Sequence, residues 1–523
     1  MMNWKHLVAA CVAVWATGAN AQAPDLIIGR GNEQVSMDPQ FARTGNNQYT
    51  AQHIFDRLVD VDENLRAGPG LAVSWRNIDP LTWEVKLRPN VKFHDGSPFT
   101  AEDVVFSLRR PPTIPNSPAS FASSVAGIAS MEIIDPLTLK ITSKTPDPRL
   151  IEEAGRVYIL SKKAAEGATN EAFTKGAATI GTGPYKYVDW TPGATLNLIR
   201  NEDYFGRKPD FQRVQMRFIT NAAARVAALK AGDVHLIDVV PPNFAAELKN
   251  DPKFAVAETD SLTLVYLALD SARDKSPYVT DLDGKPLDKN PLKDVRVRRA
   301  LSMMIDRPQL VARVLSGAGS PASQIVPEGV FGHDPETKPT AYNLDGAKKL
   351  LAEAGWEKGF GITLFGSNDR FLNDANVIQT VGQLFARGGI KINGVQALPY
   401  AVFARNATEG QYSIFQFSIG STTGEASASL NSVLHTPDAA AGLGGNNRTK
   451  YSNKDYDAVL EQALAEFDMV KREKLLRDAT KIAFADVAII PLYWQRSAWA
   501  TRQGVVYSPQ RDEGTVAMNA RRK

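Results

Sequence analysis

Cysteine is nearly absent, with Cys11 alone in 523 residues. Disulfides therefore cannot hold the fold together, and cohesion must come from hydrophobic cores. Histidine is scarce too. Beyond the first 21 residues stand His53, His94, His235, His333 and His435, scattered and without ligand spacing, which argues against a dedicated zinc or nickel site. A metal carried inside a chelator stays open. Downstream of the N-terminus no run reaches the roughly 18 apolar residues of a membrane span. Long basic runs are also missing and the net charge is +3, so the footprint of a nucleic-acid binder is absent. H-E-x-x-H, S-x-x-K, G-x-S-x-G and the phosphate-binding G-x-x-x-x-G-K-[ST] do not occur.

What is present begins with an export signal. Lys5 and His6 precede an apolar stretch over 7–17, and Ala19, Ala21 and Ala23 follow at small-residue spacing. Cleavage after Ala21 fits better than cleavage after Ala23, which would put Pro24 directly behind the cut. Residues 1–21 are read as a signal peptide, with the mature chain starting near Gln22. Cys11 leaves with it, so a thiol nucleophile is excluded from the mature protein. Val8-Ala9-Ala10-Cys11 leaves almost no apolar region ahead of a lipoprotein-type cysteine, which argues against a lipid anchor.

A chain of this length needs two or more lobes. Leu26-Ile27-Ile28-Gly29 reads as a first strand, followed by a turn at Ser36-Met37-Asp38-Pro39 and a helix over 49–58. Turn signals at Thr191-Pro192-Gly193-Ala194 make a hairpin of the strands around them. A helix over 222–231 stops at Gly232, and a short strand over 234–237 follows. The Leu-, Val- and Tyr-rich run over 262–269 is a strand, and the polar stretch 270–290 behind it suggests a crossing into a second lobe. Beyond it, helical patterns occupy 295–315, broken near Pro308, then 344–354, 374–387, 456–467 and 471–484. Strands are expected over 362–365 and, returning, over 489–494.

Residues 83–110 are the densest signal. Trp83, Val85 and Leu87 alternate with Glu84, Lys86 and Arg88, giving a strand with one buried face. Asp95-Gly96 supplies a turn. Thr100, with Asp103 three residues on, is placed to cap a helix carrying Val104, Val105 and Leu108. By itself the cassette describes a stable unit and no chemistry.

This cassette closely resembles the signature region of the family 5 extracellular solute-binding proteins, the periplasmic receptors for peptides, nickel and related solutes. Ser36 to Pro39, Gly181-Thr182-Gly183-Pro184-Tyr185, Asn201-Glu202-Asp203-Tyr204-Phe205, the stretches 294–300 and 347–355, and Ile489 to Trp494 resemble further family blocks in the family's order. The resemblance implies a two-lobed α/β periplasmic binding protein of type II, in the large cluster C form, with a hinge of two crossings and a cleft between the lobes. The crossings fit the strand near Leu262 and residues 489–494. Lobe I is then 22–262, with an extra subdomain carrying 83–110, lobe II is 263–488, and 489–523 returns to complete lobe I.

The resemblance further implies a non-enzymatic, monomeric receptor of the periplasm that uses no cofactor, captures a small peptide or peptide-like solute, and hands it to an ABC transporter permease in the inner membrane. Receptors for a non-peptide solute, whether glutathione, an opine, an oligosaccharide or a metal chelate, are the alternative, and an exported peptide hydrolase is a weaker one. In the family's peptide receptors an aspartate in a lobe II loop pairs with the ligand's amino group, and an arginine can hold its carboxylate. The matching loop here departs from that pattern with Ser421-Thr422-Thr423-Gly424-Glu425, which resembles the glutathione-binding branch. Ser421, Thr422 and Glu425 are therefore candidate ligand contacts. Arg370, between a strand end and a helix, can offer a bidentate pair to a carboxylate. Tyr493 and Trp494 can cover an apolar group, and Asn46, Asn47 and Arg43 are weaker candidates in lobe I.

Overall fold

The computed structural model describes residues 24–62, 65–420, 424–439 and 441–523. The expected signal peptide, Ser421 and Thr422 lie outside them. Two lobes share one sheet, because two long strands, Phe254–Leu269 and Ile489–Arg502, run antiparallel to each other through both. In lobe I the return strand Ile489–Arg502 continues to Leu236–Ile237, Leu26–Arg30, Arg213–Phe218, Thr195–Arg200 and Tyr185–Thr191. In lobe II, Phe254–Leu269 pairs with Ile414–Gly420, which leads to Gly361–Ser367 and Lys391–Leu398. Parallel pairing occurs in both lobes, at Leu26–Arg30 against Arg213–Phe218 and at Gly361–Ser367 against Lys391–Leu398, with helices packed on the sheet.

The chain crosses between lobes inside these strands. Asp260 pairs with Arg496 and Leu264 with Trp494, so residues 261–263 bulge opposite Gln495 alone. Staying in a ladder keeps backbone donors satisfied while the chain passes from one core to the other. Residues 270–290, where the polar composition suggested the crossing, instead fold back on the lobe II sheet: Asp270 N donates to Ser413 O at 2.8 Å, and Val279–Thr280 pairs with Gly361–Ser367.

Period-two alternation in the first hinge strand builds two cores in lobe II. Leu264, Tyr266 and Ala268 face one cluster with Leu430 and Tyr456, while Val265, Leu267 and Leu269 face another with Leu301 and Phe385. Lobe I's main core joins Leu26 and Ile28 to Ile54, Phe55, Tyr185 and Trp499.

The 83–110 cassette folds as expected. Thr82–Leu87 sits in a four-stranded antiparallel sheet, and helix Ala101–Arg109 follows. Asp103 Oδ2 accepts from Thr100 N at 2.9 Å, and its Oδ1 accepts from Lys162 N at 2.9 Å, so one carboxylate caps the helix and ties in a second. The cassette docks on the Gly181-Thr182-Gly183 segment through His94, whose backbone N donates to Gly181 O at 2.8 Å. A Cβ on Gly181 would stand 1.9 Å from Ile54 O, so only glycine admits this close approach.

Several helices sit where the pattern placed them, among them Ala222–Ala231 and Asp374–Arg387. The first helix does not. It spans Gly45–Ile54, four residues ahead of the expected 49–58, because Thr44 is already the extended entry residue and Phe55 returns to extended backbone. The return strand is also longer than its apolar signal, since it carries on past Trp494 to Arg502.

Candidate functional site

Between the lobes lies a cavity of about 1510 Å³. Its floor is the hinge: Leu262 and Thr263 of the bulge, and Gln495, Arg496 and Ser497 of the return strand. Lobe I contributes Arg30, Asn46, Tyr49 and Glu152 among others, and lobe II contributes Arg370, Phe371, Ile419, Ser429 and Tyr493. Arg30 ends a parallel strand, and ligands of open α/β sheets gather outside such carboxyl ends. The volume suits a small peptide or a solute of similar size.

The sequence candidates divide. Arg370, Tyr493, Asn46 and Arg43 line the cavity. Arg370 lies over the rings of Phe371 and Tyr400, 5.6 and 5.2 Å from their centroids, which fixes the guanidinium without occupying its hydrogen bonds. Tyr493 is buried, and its hydroxyl has no hydrogen-bond partner. Trp494, its neighbour in the strand, points to the other face and is buried in a lobe II core, away from the cavity lining. Asn47 caps backbone within lobe I, accepting from Val35 N at 2.9 Å and donating to Ser36 O at 3.2 Å. Glu425 is also turned inward. Its carboxylate accepts from Arg472 Nη2 at 2.6 Å and from the Ser427 hydroxyl, with both charged side chains buried, so it is absent from the cavity lining.

Sequence reading missed Arg30, Tyr49, Glu152, Asp512 and Glu513. Arg30 is 1% exposed, donates to Thr50 Oγ1 at 3.1 Å, and has no carboxylate within ion-pairing distance among the described residues. Burial lowers its pKa. Tyr49 Oη donates to Asp512 O at 2.5 Å, which pins the C-terminal segment to lobe I. Glu152 is pushed up to about 7, first by burial and then by the charge of Glu425. The only forward signal for any of these was a lone arginine closing the apolar run Leu26-Ile27-Ile28.

Nine arginine and lysine side chains against six aspartates and glutamates line the cavity, so it favours negative charge. Histidine, cysteine and methionine are absent from the lining, and among the described residues no group of three or more His, Cys, Asp or Glu gathers to hold a metal ion. No helix among them is long and apolar enough to cross a membrane.

Comparison with known proteins places this geometry. The model of the bacterial extracellular solute-binding proteins, family 5, middle region, matches residues 66–441. The glutathione-binding protein GsiB of Pectobacterium atrosepticum is 29% identical over 504 residues, covering 94% of this chain and 91% of that one. Heme-binding protein A of Haemophilus influenzae is 27% identical over 475 residues, covering 85% and 82%. The solved structure of HbpA2 from Haemophilus parasuis superposes with a TM-score of 0.80 at 26% identity, covering 95% of this chain and 99% of that one.

Proposed function

We propose that this chain, which belongs to the bacterial extracellular solute-binding proteins of family 5, is a periplasmic receptor that captures a peptide or peptide-like solute between its lobes and delivers it to an ABC importer's permease. The observation that carries this reading is the cavity itself. Both lobes supply its walls and the paired hinge strands supply its floor, so a solute touching both walls favours the closed arrangement. Export with cleavage near Ala21, a monomeric state, and a division into lobes within the two hinge strands belong to the same proposal, the return crossing falling at Gln495 rather than at 489 because residues 489–494 pack in the lobe II cores. Arg370 takes a carboxylate of the solute, Tyr493 offers its spare hydroxyl, and Asn46 contributes from lobe I. The hydroxyls of Ser421 and Thr422 stand as further contacts from the lobe II loop. Glutathione, named for one relative, is a tripeptide and falls within the class.

Heme, named for another relative, is the second reading. Axial ligation of its iron draws on His, Cys, Met or Tyr, and of these the lining offers tyrosine alone. Tyr49 already donates its hydroxyl to Asp512 O, which leaves Tyr493, with its unpartnered hydroxyl, as the one free candidate among the described lining residues.

The test is the thermal stability of the mature protein with dipeptides, longer peptides, glutathione, opines, oligosaccharides, nickel chelates and heme. A ligand at about 100 times its Kd adds about 2.7 kcal/mol. A rise with peptide-like compounds supports the reading. A rise with sugar, chelate or heme alone overturns it.

A further inference from the structure

A second charged group in the cavity has no role in the reading above. Glu513 lies in the returning C-terminal segment, which crosses the hinge bulge: Leu262 N donates to Arg511 O at 3.0 Å, and Arg511 Nε donates to Asp260 O at 3.2 Å. That segment is held from lobe I by Tyr49 on Asp512 O, by Trp499 Nε1 on Thr515 Oγ1 at 2.8 Å, and by Tyr507 Oη on Gly514 O at 3.1 Å. Ties on Asp512, Gly514 and Thr515, on both sides of it, leave Glu513 little freedom.

Its backbone has φ +69°, the left-handed region that a residue with a Cβ avoids. That conformation brings the side chain to the cavity wall, where its Oε1 is buried and has no hydrogen-bond partner. No lysine, arginine or histidine lies within ion-pairing distance of it among the described residues. Beside it stand Ser261 of the hinge bulge and Ser497 of the return strand, and its charge is felt by Arg370 on the lobe II wall. Burial raises the pKa of this carboxyl, as expected of an acid lacking its counter-ion.

A buried carboxylate oxygen without a donor carries the cost of desolvation until a donor arrives. A solute ammonium is such a donor, with three N–H groups and a full charge. Its carboxylate finds Arg370. The remaining field is positive, since Arg30 is buried in the wall without an acidic partner and basic side chains outnumber acidic ones around the cavity. A neutral zwitterion satisfies Glu513 and Arg370 and leaves that excess uncompensated.

We propose that the cavity selects a peptide-like solute of net negative charge that carries a free ammonium group, with the ammonium seated on Glu513 and a carboxylate on Arg370. The inference rests on the receptor reading above and names the class of solute within it. Glu425, held by Arg472, is then structural, and its expected partnership with the ammonium passes to Glu513.

Calorimetry on the wild-type mature chain with three probes tests this: glutathione, with one ammonium and two carboxylates, its N-acetyl derivative, which lacks the ammonium, and neutral alanyl-alanine. Wild type is expected to bind glutathione about 10- to 100-fold more tightly than either of the others, the range of one charge-assisted hydrogen bond. Glu513→Gln is expected to erase the preference over the N-acetyl derivative while leaving that derivative's Kd nearly unchanged. Arg370→Gln is expected to weaken both acidic probes alike. Equal binding of glutathione and its N-acetyl derivative by wild type overturns the assignment without any variant, and so does a preference that survives in Glu513→Gln. Alanyl-alanine binding as tightly as glutathione overturns the net-charge selection. Binding of none of the three overturns this inference, and a sugar, chelate or heme binding instead overturns the peptide-receptor reading as well.

Discussion

Buried charge decides the behaviour of single residues here. Arg472 and Glu425 are 1% and 6% exposed at 2.6 Å, and removing one partner leaves the other charge buried without its counter-ion. Arg472→Ala is expected to cost about 3–5 kcal/mol in urea unfolding, whereas replacing both residues with well-packed neutral ones costs far less. An unfolding midpoint unmoved by Arg472→Ala contradicts the structural role given to Glu425. Glu152 makes a pH prediction. Its carboxyl is raised to about 7 from an ordinary 4.5 by burial and by Glu425, with Arg472 and Arg149 opposing. The folded state thus binds this proton more tightly than the unfolded chain does. Its penalty is absent below the ordinary value and grows as pH rises through about 7, so stability falls with rising pH across that window. Glu152→Gln removes the group, and its melting temperature should gain on wild type as pH rises from about 4.5 to about 7 and level off above that. Parallel profiles for the two proteins refute the assignment.

Elements owe their positions to local chemistry where they were legible and to distant contacts where they were not. Asp103 illustrates the first case. Its cap of helix Ala101–Arg109 follows from the Thr100 to Asp103 spacing, and Asp103→Ala is expected to cost about 1–2 kcal/mol through the lost cap, a little more for the second bond to Lys162 N. A loss under a few tenths of a kcal/mol in thermal unfolding counts against it. The hinge illustrates the second. Alternation over 264–269 revealed the strand, but the crossing is a three-against-one bulge set by pairing with a partner more than 200 residues away, and no local pattern announces it. The same holds for the site. Arg370 stood out because a strand end followed by a helix start exposes a side chain, and Tyr493 because it lies in the apolar return strand. Trp494 differs from Tyr493 only in facing the other side of that strand, a parity fixed by the bulge. Nothing local marks Glu513, and only the ties from Tyr49, Trp499 and Tyr507 bring it to the cavity. Glu425 read as a candidate ligand contact, and Arg472, on a helix 47 residues on, takes it inward.

The whole molecule is a pair of lobes, each with its own main cores, whose backbone is continuous through one ladder. Away from the hinge the lobes meet where Leu65 is buried in a lobe II core, where Trp83 lies 6.1 Å from Phe467 between ring centroids, and where Arg66 Nη2 donates to Gly329 O at 3.1 Å and Arg149 Nη1 reaches Ser427 Oγ at 3.4 Å. A solute bridging Arg370 and Glu513 adds contacts to both lobes and so favours the closed arrangement. Small-angle X-ray scattering of the mature chain, titrated with glutathione while calorimetry follows occupancy, measures that closure directly. The account predicts a radius of gyration that falls in step with occupancy and levels off when the site is full. Binding with an unchanged radius of gyration contradicts it.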